Sequence, residues 1–312
     1  MRRIALKKKY LISICGATGI GKTGWAIALA RHFKTEIISA DSRQFYREMR
    51  IGTAVPSTEE LKAAPHHFIQ HTSIHKPYTV GDYQKDALKL ISEKFKDFDY
   101  LILAGGSGLY LDAVTRGIDE FPRVAEGVRD ELETKYGREG IKALQELLFQ
   151  LDPEYHKVVD LENPRRLIRA LEICVSSGLP YSSYLGKSKA PKGFVHIPLG
   201  IEAPRDIIYR RIEARVDNMM QEGLLDEVTS LLPYRNLNAL QTVGYQELFP
   251  YLEGETDLET AVALIKRNTR RFAKRQLTWY RKNPEICWIP HDAPMEIALQ
   301  SIEAHIQSEH AG

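Results

Sequence analysis

The chain has 312 residues, which is long enough to bury a substantial core and to form one large domain or two. Hydrophobic residues make up 43% of it and charged residues 27%, a composition that excludes disordered and fibrous proteins. The formal net charge of +2 is too small for the whole chain to attract nucleic acid, so such a role requires a local concentration of charge.

The cysteines and the N-terminus bear on the compartment. Cys15, Cys174 and Cys287 are far apart and form no CxxC pair, which argues against a structural zinc site and against a disulfide framework. The basic start MRRIALKKKY is followed by an apolar segment that ends at Cys15, too short for a signal or membrane helix. We therefore expect a cytoplasmic protein that is neither exported nor embedded in a membrane.

Short apolar runs alternate with helix-like segments in the first third of the chain. LISIC (11–15), TEIISA (35–40) and YLILAGG (100–106) predict βαβ units and a parallel sheet, to which HIPLGIE (196–202) adds a further strand. The predicted fold class is therefore α/β, with a parallel-sheet core and surrounding helices.

A long helical pattern interrupts this alternation. It contains VRDELETKY, IKALQELLFQ and PRRLIRALEICV, and it ends in SSYLGKSKAPKG, whose Ser, Gly, Lys and Pro content is typical of a linker. We predict an inserted all-helical domain of residues 118–192. The α/β core is then formed by residues 1–117 and 193–312, together with C-terminal helices.

The segment GATGIGKT follows the first strand and opens a helix, and it fits the P-loop pattern G-x4-G-K-T. Its glycines allow backbone N–H groups to point at phosphate oxygens. Lys22 is expected to bridge distal phosphate oxygens, and the hydroxyl of Thr23 to bind Mg²⁺. A turn without a ligand is the alternative, but the flanking strand and helix favour a phosphate site. Its residues are Gly16, Ala17, Thr18, Gly19, Ile20, Gly21, Lys22 and Thr23.

A hydrolytic P-loop enzyme usually carries an acidic residue at the end of a second strand. The strand at 100–104 instead runs into Gly105, and no acidic residue follows it there. The first acid at a strand end is Asp41, in IISADSRQFY. Because the carboxyl ends of parallel strands line one crevice, Asp41 should face the phosphate site. It could be a metal ligand, a general base or the N-cap of a following helix; the local pattern favours capping as much as catalysis.

A basic segment lies near the C-terminus, KRNTRRFAKRQLTWYRK, with eight Lys or Arg residues and no acid. On a helical wheel, all eight fall within one half of the cylinder. They are Lys266, Arg267, Arg270, Arg271, Lys274, Arg275, Arg281 and Lys282. Ile265, Phe272, Ala273 and Tyr280 fall on the other half. One interpretation of such a charge run is a face that is only exposed to solvent. With no acid among the eight cations, that interpretation leaves their mutual repulsion unrelieved, so a polyanion such as nucleic acid is the favoured partner.

Two further groups of residues, arginines on a predicted helix and a pair of histidines, carry weaker signals. Arg210, Arg211 and Arg215 lie on a predicted amphipathic helix, and one or more could reach a phosphate, although exposure to solvent is the default for arginine. His66 and His67 are adjacent and have no third ligand at a familiar spacing, so they predict no metal site.

The motifs along the chain occur together, and in this order, in one enzyme family. They are GATGIGKT, ADSRQFY, GTAVPS, PHHFI, GGSGLYLDAV, NPRRLIRALEI, RRIEARVDNMMQEGLLDEV, VGYQEL and KRQLTWYRK. The chain resembles the tRNA dimethylallyltransferases, also called tRNA isopentenyltransferases, from about Leu11 to Arg281. The Cys and His pattern of the zinc finger in eukaryotic members is missing, which indicates the shorter bacterial form.

The resemblance implies transfer of a dimethylallyl group from dimethylallyl diphosphate to N6 of the adenosine 3′-adjacent to the anticodon, tRNA position 37. The departing diphosphate would be held by the amides of residues 16–23, by Lys22, by Mg²⁺ near Thr23 and by Arg215. Asp41 matches the family's general base, which makes the capping interpretation secondary.

The resemblance also implies tRNA contacts. Ser42, Arg43 and Gln44 would help to read the flipped-out adenosine beside Asp41, and Ser107 would act from the facing loop. Other contacts are implied at Arg129; at Arg165, Arg166, Leu167, Ile168 and Arg169; at Gln241, Thr242, Val243, Gly244, Tyr245 and Gln246; and at Lys274, Arg275, Gln276, Leu277, Thr278, Trp279, Tyr280 and Arg281. The expected partners are the tRNA anticodon stem-loop and dimethylallyl diphosphate, without a membrane, and the chain is expected to be a monomer.

Two other functions use some of the same residues. A P-loop kinase of a nucleotide or small metabolite would use the glycine loop and Asp41, but it gives no role to the basic segment. A nucleic-acid binding ATPase would use both, but it lacks the acid at the strand end.

Overall fold

The computed structural model describes residues 8–311. Two compact units are formed: one ends at Thr115 and resumes at Pro191, and the other runs from Arg116 to Ala190. The second unit therefore starts and stops close to the limits predicted for the insertion, 118–192.

Six parallel strands form the sheet of the first unit. They are β1 (Tyr10–Gly16), β2 (Ile37–Ser39), β3 (His66–His67), β4 (Tyr100–Ala104), β5 (Val195–Glu202) and β6 (Cys287–Pro290). Their order in the sheet is β3-β2-β4-β1-β5-β6, and every pairing is parallel. The α/β prediction with a parallel sheet is confirmed. The short edge strands β3 and β6 were not predicted, because two to four residues carry too little hydrophobic pattern.

The described part of the chain contains thirteen α-helices. They are α1 (Lys22–His32), α2 (Thr58–Ala63), α3 (Val80–Lys94), α4 (Gly108–Thr115), α5 (Val128–Glu139), α6 (Ile141–Leu151), α7 (Pro153–His156), α8 (Pro164–Ser177), α9 (Arg205–Gln221), α10 (Leu224–Leu231), α11 (Phe249–Leu252), α12 (Leu258–Tyr280) and α13 (Met295–Ala311). Short 3₁₀ turns lie at Tyr181–Tyr184, Leu232–Tyr234 and Asn238–Leu240. Between residues 8 and 311, no helix has both the length and the apolar character needed to cross a bilayer.

The central strand β1 is buried along its whole length because β4 and β5 flank it and helices cover both faces. Alternate residues of a strand point to opposite faces, so Ile12 and Ile14 join one cluster with residues of α1, α9 and α13, whereas Leu11 joins another with residues of α3. The glycine loop therefore leaves the carboxyl end of a rigid, central strand.

The helix α12 is held by all three clusters of the first unit. Ala273 packs into the cluster on the α1 face, and Tyr280 packs into the cluster on the α3 face. Ile265 joins a third cluster with residues of α9, α10 and α11. This packing fixes the rotation of α12 about its own axis.

The second unit is built from α5 to α8 around its own core. Leu144, Leu148, Leu167 and Leu171 are fully buried in it. The helix α8 starts where the side chain of Asn163 accepts a hydrogen bond from the N–H group of the third residue of the helix, with proline at its first position.

Candidate active site

The loop GATGIGKT leaves β1 and enters α1. Gly16, Gly19 and Gly21 have φ angles of 147°, 79° and 100°, in the left-handed region that residues with a side chain rarely adopt. A Cβ atom on Gly16 would also lie 2.7 Å from the carbonyl oxygen of Ile201 in the neighbouring strand. The glycines therefore let the backbone wrap at the N-terminus of α1, where free N–H groups and the helix dipole favour an anion.

Lys22 begins α1 and turns its side chain back over the loop. Its Nζ atom donates hydrogen bonds to the carbonyl oxygens of Gly16, at 3.1 Å, and of Ala17, at 2.9 Å. Burial lowers the pKa of Lys22 to about 8; Asp41 opposes this shift and Arg215 adds to it. A phosphate group beside Nζ would stabilise the charged form, so this lysine is suited to bind an anion.

Two arginines of α9 reach the same loop. Nη1 of Arg215 is 3.4 Å from the hydroxyl oxygen of Thr18, and Nη1 of Arg211 donates to the carbonyl oxygen of Ile20 at 2.9 Å. They share a helix face because they are four residues apart, whereas Arg210 is exposed and pairs with an acid of its own helix. Burial lowers the pKa of Arg215, and Asp41 opposes that shift. Arg215 therefore lies beside the loop, as predicted, and Arg211 is a second cation there.

Asp41 follows β2 and faces the glycine loop. The residues after it form a turn, not a helix, so the helix N-cap interpretation is wrong. In this turn its Oδ1 atom accepts a hydrogen bond from the N–H group of Arg43 at 3.1 Å. Its Oδ2 atom is 3.4 Å from the place that a Cβ atom on Gly106 would take, and Nζ of Lys22 is 3.9 Å from the same place. Both side chains therefore lie beside Gly106, just beyond the end of β4.

The loop after β4 packs against the loop after β2. The Oγ atom of Ser107 accepts a hydrogen bond from the N–H group of Ser42 at 3.0 Å and lies 3.0 Å from the hydroxyl oxygen of Ser42. A Cβ atom on Gly105 would collide with the backbone of Ala40, which explains why glycine follows this strand. The predicted residues Asp41, Ser42 and Ser107 are thus brought together.

Arg43 and Gln44 use their side chains inside the protein. Nη1 of Arg43 donates to the carbonyl oxygens of Asn238 and Ala239, both at 3.0 Å. Nε2 of Gln44 donates to the carbonyl oxygens of residues 53 and 54, at 3.2 and 2.8 Å. Both hold neighbouring segments around Asp41, and direct reading of the adenosine by these side chains stays a prediction.

The segment 241–246 divides into exposed ends and a buried centre. Its two glutamines are exposed, Thr242 and Val243 are partly exposed, and Gly244 and Tyr245 are buried. The hydroxyl of Tyr245 donates to Glu227 at 2.6 Å, and the same carboxylate accepts three backbone N–H groups of residues 50–52.

This arrangement corrects one predicted tRNA contact. The Tyr245 side chain is completely buried and braces a neighbouring loop, so it is not available to bind tRNA. Glu227, which organises that loop, was missed because a glutamate within a helical pattern carries no local signal.

The basic face of α12 is less continuous than the sequence predicts. Lys266 pairs with Asp217 and Arg270 pairs with Glu213, both at 2.6 Å, so acids of α9 relieve part of the repulsion. Phe272, predicted on the inner half, is 37% exposed. The helix ends at Tyr280, so the last two cations lie at and beyond its end. The exposed cations are Arg267, Arg271, Lys274, Arg275, Arg281 and Lys282.

A shallow groove lies on this exposed side. It is lined by Lys274, Arg275, Thr278, Trp279 and Lys282. The indole N–H group of Trp279 donates to Asp112 at 2.9 Å, and its ring packs over Gly108, where a Cβ atom would lie 2.5 Å from it. The groove therefore combines cations with an oriented aromatic ring, which suits nucleic acid.

Three residues of the predicted tRNA segment 274–281 face inward instead. Gln276 and Tyr280 are buried, and Leu277 packs against the α1 face of the sheet. The side-chain amide of Gln276 bonds to the glycine loop and to the loop after β4. These side chains lie in the interior, so they are not part of a surface that could contact tRNA.

The second unit exposes only part of its predicted segment 165–169. Arg165 and Arg166 are exposed, whereas Leu167 is fully buried and Ile168 is 5% exposed. The last two side chains form the core of this unit and cannot contact tRNA. Their inclusion in the segment was therefore wrong.

Arg129 and Arg169 meet at one buried acid that the sequence did not reveal. Nη1 of Arg129 is 3.0 Å from Glu172 Oε1, and Nη1 of Arg169 is 3.2 Å from Oε2. The Glu172 side chain is only 4% exposed, whereas the two arginines are about half exposed. This acid fixes both guanidinium groups on the surface of the unit.

An oxygen donor is available for a magnesium ion. The hydroxyl of Thr23 lies in the first turn of α1, where the glycine loop enters the helix. Mg²⁺ prefers oxygen ligands and usually binds through substrate phosphates and water with few protein ligands. Thr23 fits such a substrate-bridged ion, and among residues 8–311 no cluster of three or more His, Cys, Asp or Glu forms a separate metal site.

Comparison with known proteins identifies the family. Residues 44–283 match the model of the family described as IPP transferase. A tRNA dimethylallyltransferase of Christiangramia forsetii is 53% identical over 96% of this chain and 99% of its own length. One of Flavobacterium johnsoniae is 52% identical with the same coverage.

Solved structures agree with these relatives. A tRNA isopentenylpyrophosphate transferase of Bacillus halodurans has 36% identity and a TM-score of 0.71, covering 97% of this chain and 100% of that one. A eukaryotic dimethylallyltransferase acting on tRNA has 25% identity and a TM-score of 0.76, covering 91% of this chain and 74% of that one. With this identity over nearly its full length, the chain belongs to the IPP transferase family, among the tRNA dimethylallyltransferases.

Proposed function

We propose that this protein transfers the dimethylallyl group of dimethylallyl diphosphate to N6 of the adenosine that follows the anticodon, tRNA position 37. The observation that carries this proposal is the convergence of the glycine loop, Lys22 and Asp41 at Gly106, where the strand end itself offers no acid. A cradle for a diphosphate and a base for an incoming nucleophile thus lie side by side.

On the donor side, the bond between C1 of the allyl group and the diphosphate oxygen breaks. The negative charge that develops on the diphosphate is stabilised by N–H groups of the loop and by Lys22 and Arg215. The hydroxyl of Thr23 would hold Mg²⁺, which when bound would supply further charge neutralisation. Arg211 donates a hydrogen bond to the carbonyl oxygen of Ile20 and would help to hold the glycine loop in shape.

On the acceptor side, the adenine N6 is a weak nucleophile because its lone pair is delocalised into the ring. It would attack C1 as its proton passes to a base, and we propose Asp41 for this role. The turn occupies Oδ1 of Asp41, so Oδ2 is the atom that faces the site. The products are N6-isopentenyladenosine and diphosphate.

The tRNA would be held by exposed cations. The adenosine must leave its base stack to enter the crevice. The adjacent RNA stem would be held meanwhile through contacts between its phosphates and protein cations. The exposed cations of α12, including Lys274 and Arg275, and the fixed guanidinium of Arg129 are suited to this. A kinase would leave these groups without a role, and the relatives reported above are named dimethylallyl or isopentenyl transferases, not phosphoryl transferases.

One assay tests the proposed function. The protein is incubated with Mg²⁺, unmodified tRNA that carries adenosine after the anticodon, and either dimethylallyl diphosphate or ATP, and the digested nucleosides are analysed. We expect isopentenyladenosine with the diphosphate and none with ATP, and none from a matched tRNA with guanosine at that position. Consumption of ATP without isopentenyladenosine would favour the kinase.

The proposal also covers the oligomeric state and the location in the cell. We expect a monomer, which sedimentation velocity at assay concentrations would test. The described cysteines Cys15, Cys174 and Cys287 are free, which suits a reducing compartment, and we propose that the protein acts in the cytoplasm. Fractionation of cells expressing the full chain tests the location.

A further inference from the structure

Gln276 has an unusual place on α12. Its side chain is 6% exposed and both of its polar atoms are bonded. Oε1 accepts a hydrogen bond from the backbone N–H group of Thr18 at 2.8 Å, and Nε2 donates to the carbonyl oxygen of Gly106 at 2.7 Å. One side chain thus joins the glycine loop to the loop after β4, although both are far away in the sequence.

The two loops that Gln276 joins have different tasks in the proposed reaction. The glycine loop, which includes Thr18, holds the diphosphate of the donor. The loop at Gly106 lies against Asp41 and leads to Ser107, on the side of the nucleophile. The distance between them sets how far the allyl carbon lies from the attacking nitrogen, and reaction rates depend steeply on such distances.

The chemistry of the residue also fits this place. A side-chain amide offers an acceptor and a donor at once, as these two backbone groups require. It carries no charge, so it neither cancels the charge of Lys22 nor repels a diphosphate. Space is limiting as well, because a Cβ atom on Gly106 would lie 2.7 Å from Nε2 of Gln276.

We propose that Gln276 is a positioning residue that sets the geometry between the diphosphate loop and the acceptor loop; this inference rests on the proposed function. It acts from a helix whose other side bears the exposed cations Lys274 and Arg275. Its role is distinct from theirs, because it touches the donor site and they face solvent.

The test compares Gln276→Leu and Gln276→Glu with wild type. Leucine removes both hydrogen bonds at similar volume, and glutamate keeps the acceptor, loses the donor and adds negative charge beside the diphosphate. We expect kcat/KM for dimethylallyl diphosphate to fall about tenfold or more in the leucine variant and further in the glutamate variant. The Kd for tRNA should stay within about twofold.

Matched variants separate this role from general damage. Gln307→Leu makes the same change at an exposed glutamine of α13 and should leave all constants unchanged. Lys274→Ala should show the reverse pattern, with weaker tRNA binding and an unchanged KM for the diphosphate. If kcat/KM and KM for dimethylallyl diphosphate are unchanged in both Gln276 variants, the inference is wrong. It is also wrong if the variants lose diphosphate binding and tRNA binding equally and melt at a lower temperature, because that pattern indicates general damage.

A second measurement separates the inference from the proposed function. Calorimetry with inorganic pyrophosphate and Mg²⁺ does not depend on transfer. The inference predicts that Gln276→Leu binds pyrophosphate more weakly than wild type and that Gln276→Glu binds it more weakly still. This order supports the inference even if wild type forms no isopentenyladenosine. Equal pyrophosphate affinity in all three proteins contradicts it.

Discussion

The lysine of the glycine loop illustrates how burial tunes a single side chain. Burial lowers the pKa of Lys22 to about 8, which means that in the free site Lys22 loses its positive charge as the pH rises through that value. A bound diphosphate favours the charged form. Binding of the donor is therefore coupled to uptake of a proton above this pKa.

This coupling predicts a pH dependence. We expect the ratio of kcat/KM for dimethylallyl diphosphate in wild type to kcat/KM in Lys22→Arg to fall about tenfold between pH 7 and pH 9. Lys22 loses its charge over this range, whereas the arginine of the variant stays charged throughout. The ratio cancels titration of the ligand and of other groups. A ratio that is flat over this range would contradict the assigned cause.

Asp41 gives the second prediction at this scale. Asp41→Ala should lower transfer about 10²-fold to 10⁴-fold, because the proton on N6 loses its acceptor, and tRNA binding should remain largely intact. Filter binding and single-turnover assays measure the two effects. Equal loss of tRNA binding would mean that Asp41 anchors the base and is not the proton acceptor.

At the scale of one element, α12 combines two functions on one helix. Its inner side carries Gln276 to the glycine loop, and its outer side carries cations past the groove with Trp279. The packing of Ala273 and Tyr280 in the core sets which residues face which way.

The outer side yields a prediction with a control on the same helix. Lys274→Ala with Arg275→Ala should weaken tRNA binding and reduce the slope of log K against log salt by roughly 1 to 2, because phosphate contacts are lost. Lys266→Ala should change the slope little, since Lys266 already pairs with Asp217. Equal slopes for wild type and the double variant would show that the outer cations only face solvent.

The helix α8 of the second unit supports a stability prediction. Glu172→Ala removes the buried acceptor of two arginines, and because those arginines are half exposed we expect a loss of only about 1 to 2 kcal/mol in the free energy of unfolding. Glu133→Ala, which removes an exposed partner of Arg129, should cost less than about 0.5 kcal/mol. Urea unfolding followed in this unit measures both. Similar losses would show that the burial of Glu172 is unimportant.

For the whole molecule, the order of the strands is the decisive feature. Because β4 lies between β1 and β2, the loops after all three strands meet at one edge of the sheet. Lys22 follows β1, Asp41 follows β2 and Ser107 follows β4, so residues spread over more than a quarter of the chain form one site.

The sequence by itself determined the parts of this protein that depend on neighbouring residues. The runs LISIC and YLILAGG predicted buried parallel strands, GATGIGKT predicted the phosphate loop, and the place of Asp41 after a strand predicted a carboxylate at that loop. The predicted strands form, and Asp41 lies near Lys22 of the loop, because hydrophobic period, glycine content and strand ends are properties of short segments. Phosphate binding by the loop stays a prediction.

Only the tertiary structure decided which side chains face the site and which are used elsewhere. It gave Lys266 and Arg270 acidic partners on α9, placed Gln276 against the glycine loop, and buried Tyr245 and Leu167. Each of these contacts depends on how helices pack over the sheet. A helical period predicts an inner and an outer face, but the acid, backbone amide or core that meets each face comes from a distant part of the chain.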